Sequence, residues 1–208
     1  ITIPIPPISN ENIYSIVNGW ILNDSNVFNL YGNIKSWDVS AVNNMNELFK
    51  DYTNFNDDIS DWNVSNVTSM RSMFQGATSF TYDLSWNVSN VNNMSSMFRN
   101  TNFNANISNW DVSNVENMEY MFAGAYLFNS DISNWNTKSL QNMQYMFNGA
   151  TKFNRDLSWN VSNVTYMNGL FQNATDFNGT INNWNVGNVI SMNSMFSGAI
   201  TFNQPINQ

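Results

Sequence analysis

The chain has no cysteine and no histidine. The first absence excludes disulfides and thiolate metal ligands, and leaves the redox compartment open. The second removes the commonest general base and metal-binding ring from any site. Charge is scarce too: 11% of residues are charged, with Lys+Arg at 7 against Asp+Glu at 15, for a net charge of −8. So few cations disfavour a nucleic acid partner, whose binding rests on cation–phosphate contacts. No apolar run approaches the roughly 18 residues of a membrane span. No signal peptide is visible, and the chain opens on Ile1, so a leader or a larger domain is expected to have been removed. Asn makes up about one residue in five. A low-charge, Asn-rich chain suits disorder, but aromatic residues at 15%, placed at strict intervals, argue for a folded one.

Those intervals are the dominant feature. Trp recurs at 37, 62, 86, 110, 135, 159 and 184, a step of 24 or 25 residues. Eight residues after each Trp comes a Met, and four after that a Phe, from Met45 and Phe49 to Met192 and Phe196. Every one of the 12 Met, seven of the eight Trp and 14 of the 15 Phe occupy such repeat positions. A fixed period of this length is expected of a solenoid, in which each repeat lacks a core of its own and must stack on its neighbours.

Within a repeat, Val67, Met70, Met73, Phe74 and Ala77 fall at offsets 0, 3, 6, 7 and 10. This spacing predicts a helix with one buried face over 67–77, with Ser65 or Asn66 at its start and Gly76 near its end. The segment 55–62, with Phe55, Ile59 and Trp62 facing inward, predicts a short strand that stacks into a parallel sheet. The expected fold class is therefore an α/β repeat: a leucine-rich-repeat-like solenoid of seven strand–helix units of 24–25 residues, with an N-terminal helical cap. Residues 1–9 read as an extended arm, because three prolines in four positions forbid a helix. Residues 10–36 read as cap and lead-in. A helix is predicted over 11–22, capped by Ser9 or Asn10, with Ile13, Ile16, Val17 and Trp20 on one stripe. Phe28, Tyr31 and Ile34 approximate the later strand pattern. Residues 37–208 form the array. The sequence stops one residue short of the next Trp, which points to continuation or to another subunit over an exposed strand edge.

The block Trp-Asn/Asp-Val-Ser-Asn-Val-x3-Met-x2-Met-Phe-x-Gly-Ala-x2-Phe-Asn-x-Asp-Ile-Ser resembles the BspA-like leucine-rich-repeat surface proteins, a repeat also seen in mycoplasma-type surface lipoproteins. Relatives of that family occur on bacterial surfaces and in unicellular algae, protists and large DNA viruses. The resemblance covers about 37–208 and implies a surface-exposed solenoid for adhesion, recognition or structure, placed outside the cell, on its surface or on a virion. It carries no catalytic motif, so no functional residue transfers from it.

The residues themselves point away from catalysis. No nucleophile elbow or phosphate-binding glycine loop is present. Asp58, Asp83, Asp131 and Asp156 share one repeat column, where turn bonding is the expected role. Asn33, Asn106 and Thr180 interrupt that column, which weakens a calcium reading, and no metal or cofactor is expected. The Asn after each core Phe and the Asn or Asp after each Trp suggest amide ladders that satisfy turn backbone. Asn-x-Ser/Thr triplets at Asn63, Asn66 and Asn160 become glycosylation acceptors only on a eukaryotic secretory route. The candidate partner-binding residues are Tyr120, Tyr145 and Tyr166, in the middle repeats, with Tyr126 and Leu127 replacing small or polar residues just beyond. Against this stands packing of the same rings across neighbouring repeats. The expected function is a non-enzymatic surface protein that adheres to or recognises a protein or glycan. The alternative is a structural component of a larger assembly, touching neighbouring subunits.

Overall fold

A computed structural model describes residues 5–206. The first four residues of the expected arm lie outside the described residues, as do the last two of the chain. Helix α1 spans Ile13–Ile21 and buries Ile13, Ile16 and Val17. Its N-terminal residue Asn12 makes no side-chain cap; Asn12 Oδ1 instead accepts from the Ser9 backbone N–H at 2.8 Å, and Ser9 Oγ accepts from the Glu11 N–H. Helix α2, Ser25–Tyr31, starts at Asp24, whose carboxylate accepts from the Asn26 N–H, and closes on Gly32 at φ 67. A single 3-10 turn follows at Ile34–Ser36. The strand pattern expected around Phe28, Tyr31 and Ile34 is therefore replaced by two helical pieces.

The α/β leucine-rich-repeat solenoid is overturned. Among the described residues from 37 onward there is no helix, and strand pairing is reduced to isolated parallel bridges, one per junction: Asn44–Ser69, Ser69–Asn93, Asn93–Asn117, Asn117–Asn142, Asn142–Tyr166 and Tyr166–Ser191. Those bridges lie in the stretch expected to be helical, and the stretch expected to be a strand, 55–62, is irregular.

What stands in place of helix and strand is a run of three-residue turns. Val67 N–H donates to the Val64 carbonyl, Met73 to Met70, Ala77 to Phe74 and Phe80 to Ala77, at 2.9–3.2 Å. Each such turn returns the chain to the interior after three residues, so both of its ends are core residues. Apolar offsets of three and four thus arise without a helix. A helix is also blocked by backbone handedness: Ser72 sits at φ 55 and Gly76 at φ 73, a left-handed conformation that costs an L-residue about 1–2 kcal/mol and does not propagate. The coil's Asn, Ser, Thr and Val are poor helix formers besides.

Alternate peptide groups then point along the stacking direction. Met70, Ser72, Phe74 and Gly76 N–H groups donate to the carbonyls of Asn93, Ser95, Met97 and Arg99 in the next coil at 2.8–2.9 Å. The same foursome recurs from Met118, Tyr120, Phe122 and Gly124 to Asn142, Gln144, Met146 and Asn148 at 2.7–2.9 Å. A flanking peptide runs the opposite way, as in Thr68 N–H to Asn43 O and Asn92 N–H to Thr68 O. The coils are thus cross-linked by four same-sense hydrogen bonds per junction.

The core is continuous through the stack. Phe49, Phe74, Phe98, Phe122, Phe147, Phe171 and Phe196 stack ring on ring, with centroids 5.4–5.8 Å apart. The second Phe of each coil packs against the first, at 3.7 Å for Phe122 and Phe128. Each Trp closes the wall of its coil. Trp62, Trp86, Trp110, Trp135, Trp159 and Trp184 donate Nε1–H to the carbonyls of Ile34, Ile59, Leu84, Ile107, Ile132 and Leu157 of the preceding coil, at 2.7–3.1 Å. No buried side-chain polar atom is left without a partner among the described residues.

At the N-terminal end α1 covers the first coil. Asn10 Oδ1 accepts from the N–H groups of Asn43 and Asn44, Tyr14 donates to the Asn46 carbonyl at 2.8 Å, and Trp20 Nε1 donates to Asp57 at 2.8 Å.

Candidate functional site

The polar columns resolve into turn and ladder bonds. The Asn or Asp after each Trp closes a turn two residues on: Asp38 accepts from Ser40, Asn63 from Ser65, Asp111 from Ser113 and Asn160 from Ser162. The Asn after each core Phe reaches forward instead. Asn104 Oδ1 accepts from Asn129 N–H, Asn129 from Asn154, Asn154 from Asn178 and Asn178 from Asn203, at 2.7–3.1 Å. The Asp column splits by repeat length. In full-length units Asp58 and Asp131 accept from the backbone and hydroxyl of Ser60 and Ser133. Asp83 and Asp156, where one residue is missing before Trp, accept from the next coil's Asn106 and Thr180 N–H groups. One deleted residue thus converts a local turn into a bond between coils. The Lys35 ammonium beside Asp58, together with the Ser60 bonds, holds that carboxyl well below its usual value, at about 2. Serine bonds lower Asp111 and Asp131 in the same direction, and bonds from Thr180 lower Asp156. No cluster of three or more acidic, His or Cys groups suited to a metal ion occurs among the described residues.

Of the five candidate binding residues, the structure brings two together. Tyr120 and Tyr145 occupy equivalent positions in adjacent coils, and their rings stack at 4.8 Å and 6°. Arg99 lies over the other face of the pair, its guanidinium carbon 4.8 Å from the Tyr120 ring centroid. Tyr145 in turn lies over Gly169, where an added Cβ would collide with the ring carbons of Tyr145. The run Arg99–Tyr120–Tyr145–Gly169 is therefore closed face to face, leaving ring edges and phenol oxygens for any contact. Burial, then the neighbouring Tyr145 and Glu119, push the Tyr120 phenol up, against the pull of Arg99.

Both tyrosines also carry an unfavourable backbone. Tyr120 lies at φ 56 and Tyr145 at φ 54, in a column that otherwise holds Glu47, Ser72, Ser96, Gly169 and Ser194. A bulky side chain at positive φ is a genuine outlier and marks a position whose side chain outweighs its local cost.

Tyr166 stands apart, exposed at 41% on the bridge column between Asn142 and Ser191. Tyr126 and Leu127, exposed at 49% and 43%, sit on a different turn, where the Tyr126 carbonyl accepts from Lys152 N–H and Thr151 Oγ1. Among the described residues no ring contact joins Tyr126 or Tyr166 to the stacked pair. Arg99 and Gly169 were missed by sequence reasoning. Arg99 lies 21 residues before Tyr120, out of step with the repeat, whereas Gly169 was visible as the single glycine of its column.

No helix among the described residues is long and apolar enough to cross a membrane. Comparison with curated proteins finds no match, and comparison with solved structures finds none either. A family profile does match, in three overlapping segments, 16–100, 83–158 and 157–208, which together run from within α1 through the whole array. The chain belongs to the DUF285 family, described as Mycoplasma protein of unknown function.

Proposed function

We propose that this chain is a non-enzymatic repeat protein, displayed outside the cell, on its surface or on a virion, that recognises a protein or glycan through tyrosines carried on its coils. The observation that carries this reading is the Tyr120–Tyr145 pair, held at left-handed backbone positions under Arg99. Neither ring is needed to fill the core, which the Phe, Met and Trp columns complete. Membership in a repeat family related to BspA-like surface proteins supports the surface placement.

Tyr166, exposed on the bridge column, and Tyr126 with Leu127, exposed on a separate turn, would offer further contacts apart from the stacked pair. Edge-on phenols suit hydrogen bonding to sugar hydroxyls or to a partner's backbone. The test is a glycan and protein binding screen, with Tyr120→Ala, Tyr145→Ala and Tyr126→Ala measured against any ligand found. Loss of binding in the first two assigns the stacked pair. Binding unaltered in all three removes the tyrosine surface from the function.

A further inference from the structure

The stacked tyrosines sit at the junction of the array that lacks a bond its neighbours have. Elsewhere an Asn amide ties each coil to the one before it. Asn66 Nδ2 donates to the Ser40 carbonyl, Asn90 to Ser65, Asn114 to Ser89, Asn163 to Lys138 and Asn188 to Ser162, at 2.7–2.8 Å. Between the coils of Trp110 and Trp135 that column holds Ser139, and among the described residues the Ser113 carbonyl receives no such bond. Tyr120 and Tyr145 belong to these same two coils. A disulfide cannot replace the missing tie, because the chain has no cysteine.

The pair has the geometry for another covalent bond. Its rings lie 4.8 Å apart and 6° from parallel, the single ring contact between tyrosines among the described residues. Backbone bonds hold the arrangement from both coils: Tyr120 N–H donates to Gln144 O at 2.9 Å, and Tyr145 N–H to Asn168 O at 2.8 Å. Arg99 covers the outer face of Tyr120, so the aromatic neighbour of that ring is Tyr145. The hydroxyls of Tyr14 and Tyr52 are engaged, by the Asn46 carbonyl and by Asn18 Oδ1, whereas those of Tyr120 and Tyr145 have no hydrogen-bond partner among the described residues. Groups held together in this way react far faster with each other than with a second molecule.

The rest of the chain directs oxidation to tyrosine. Every Met except Met192 is at 8% exposure or less, and each Trp of the repeat column is at 4% or less. An oxidant arriving from solvent therefore meets phenols while the thioethers and indoles of the stack stay covered.

We propose that Tyr120 and Tyr145 are a cross-linking site, joined as dityrosine by a peroxide-consuming one-electron oxidant of the haem peroxidase class. Each phenol gives up one electron and its hydroxyl proton. The two phenoxyl radicals then couple through the ring carbons next to the oxygens, and the displaced ring protons return to the oxygens. One C–C bond forms and two ring C–H bonds break, while hydrogen peroxide takes up the two electrons and two protons and leaves as two waters. The product ties two coils whose linked residues stand a full repeat apart along the chain, which restricts the unfolded state as other cross-links do. It needs the stack and the free phenols and no binding partner, so it stands independently of the recognition reading.

The experiment treats the 1–208 chain with hydrogen peroxide and a haem peroxidase, at high dilution so that copies seldom meet. Dityrosine fluorescence, denaturing electrophoresis and mass spectrometry of the tryptic digest are then read. The expected product runs as a monomer, and its digest holds 100–138 joined to 139–152, lighter than the sum by two hydrogens. Fragmentation places the link at Tyr120 and Tyr145. Tyr120→Phe and Tyr145→Phe keep the ring stack and lose the product, whereas Tyr126→Phe and Tyr166→Phe keep it. The urea midpoint of the linked protein rises, and peroxidase treatment of Tyr145→Phe brings no such rise. Fluorescence found only in dimers and larger species overturns the proposal, as does a link through Tyr126 or one that survives Tyr145→Phe. A linked monomer with an unmoved midpoint overturns its role as a tie between coils.

Discussion

At the scale of single residues, the chain solves one problem many times: irregular backbone inside a packed stack must have every polar group bonded. It does so with short side chains whose reach is one turn or one coil. Asn63 serves its own turn, Asn129 serves the next coil and Trp135 Nε1–H reaches back to Ile107. Asp58 is the most perturbed of these groups, its carboxyl held at about 2 by Lys35 and Ser60. Because its folded value lies below the ordinary one, 3.8, the unfolded chain binds the proton first as pH falls. The stabilisation is complete above the ordinary carboxylate range and is lost as pH drops through it toward 2. Asp38, Asp111, Asp131, Asp156 and Asp176 are lowered too and add in the same direction. The melting temperature is therefore expected to fall between pH 5 and pH 2. In Asp58→Asn the amide oxygen still accepts from Ser60, so that variant shows a shallower fall while keeping its turn. An equal slope in both proteins contradicts the assignment.

At the scale of the element, each coil is a set of turns rather than a helix and a strand. The core residues were legible in advance: Val67, Met70, Met73, Phe74 and Ala77 are all at 0% exposure, as their spacing demands. The element type was not. A three-residue turn and a 3.6-residue helix both bring a side chain inward every third or fourth position, so periodicity alone does not separate them. The separating information is the left-handed φ at Ser72 and Gly76, and Ser72 carries no sequence mark of it. Stacking also makes equal substitutions unequal. Phe122 is flanked by rings on both sides, Phe98 at 5.7 Å and Phe147 at 5.8 Å, and is at 0% exposure, whereas Phe196 has a coil on one side only. Phe122→Ala is expected to cost about 3–5 kcal/mol, and Phe196→Ala clearly less, as read from urea denaturation midpoints. Equal losses would show that the end of the stack is as well covered as its centre.

At the scale of the whole molecule, the two ends differ. The N-terminal end is closed by α1, with Asn10 and Tyr14 bonded to the first coil's backbone. The other end shows donors and apolar side chains to solvent. Amide hydrogen exchange is expected to follow that asymmetry. Met118, Tyr120, Phe122 and Gly124, bonded between two coils, exchange slowest, while Met192, Ser194, Phe196 and Gly198 exchange fastest of their columns. Uniform protection along the array would contradict a stack held by neighbour contacts.

Periodicity in the sequence determined which residues are interior, where one repeat ends and the next begins, and that no unit stands alone, because each needs neighbours to bury its face. It also singled out Tyr120, Tyr145, Tyr166, Tyr126 and Leu127 as departures from the pattern. Only the tertiary structure decided how the backbone runs between the core residues. That choice depends on hydrogen bonds between coils about 24 residues apart, such as Tyr120 N–H to Gln144 O, which no local window contains. Only it showed that two of the five departures share a stack, completed by Arg99 and by the bare backbone of Gly169. The physical reason is the same in both cases: a side chain's neighbours in a stack are one coil away in space and a full repeat away along the chain.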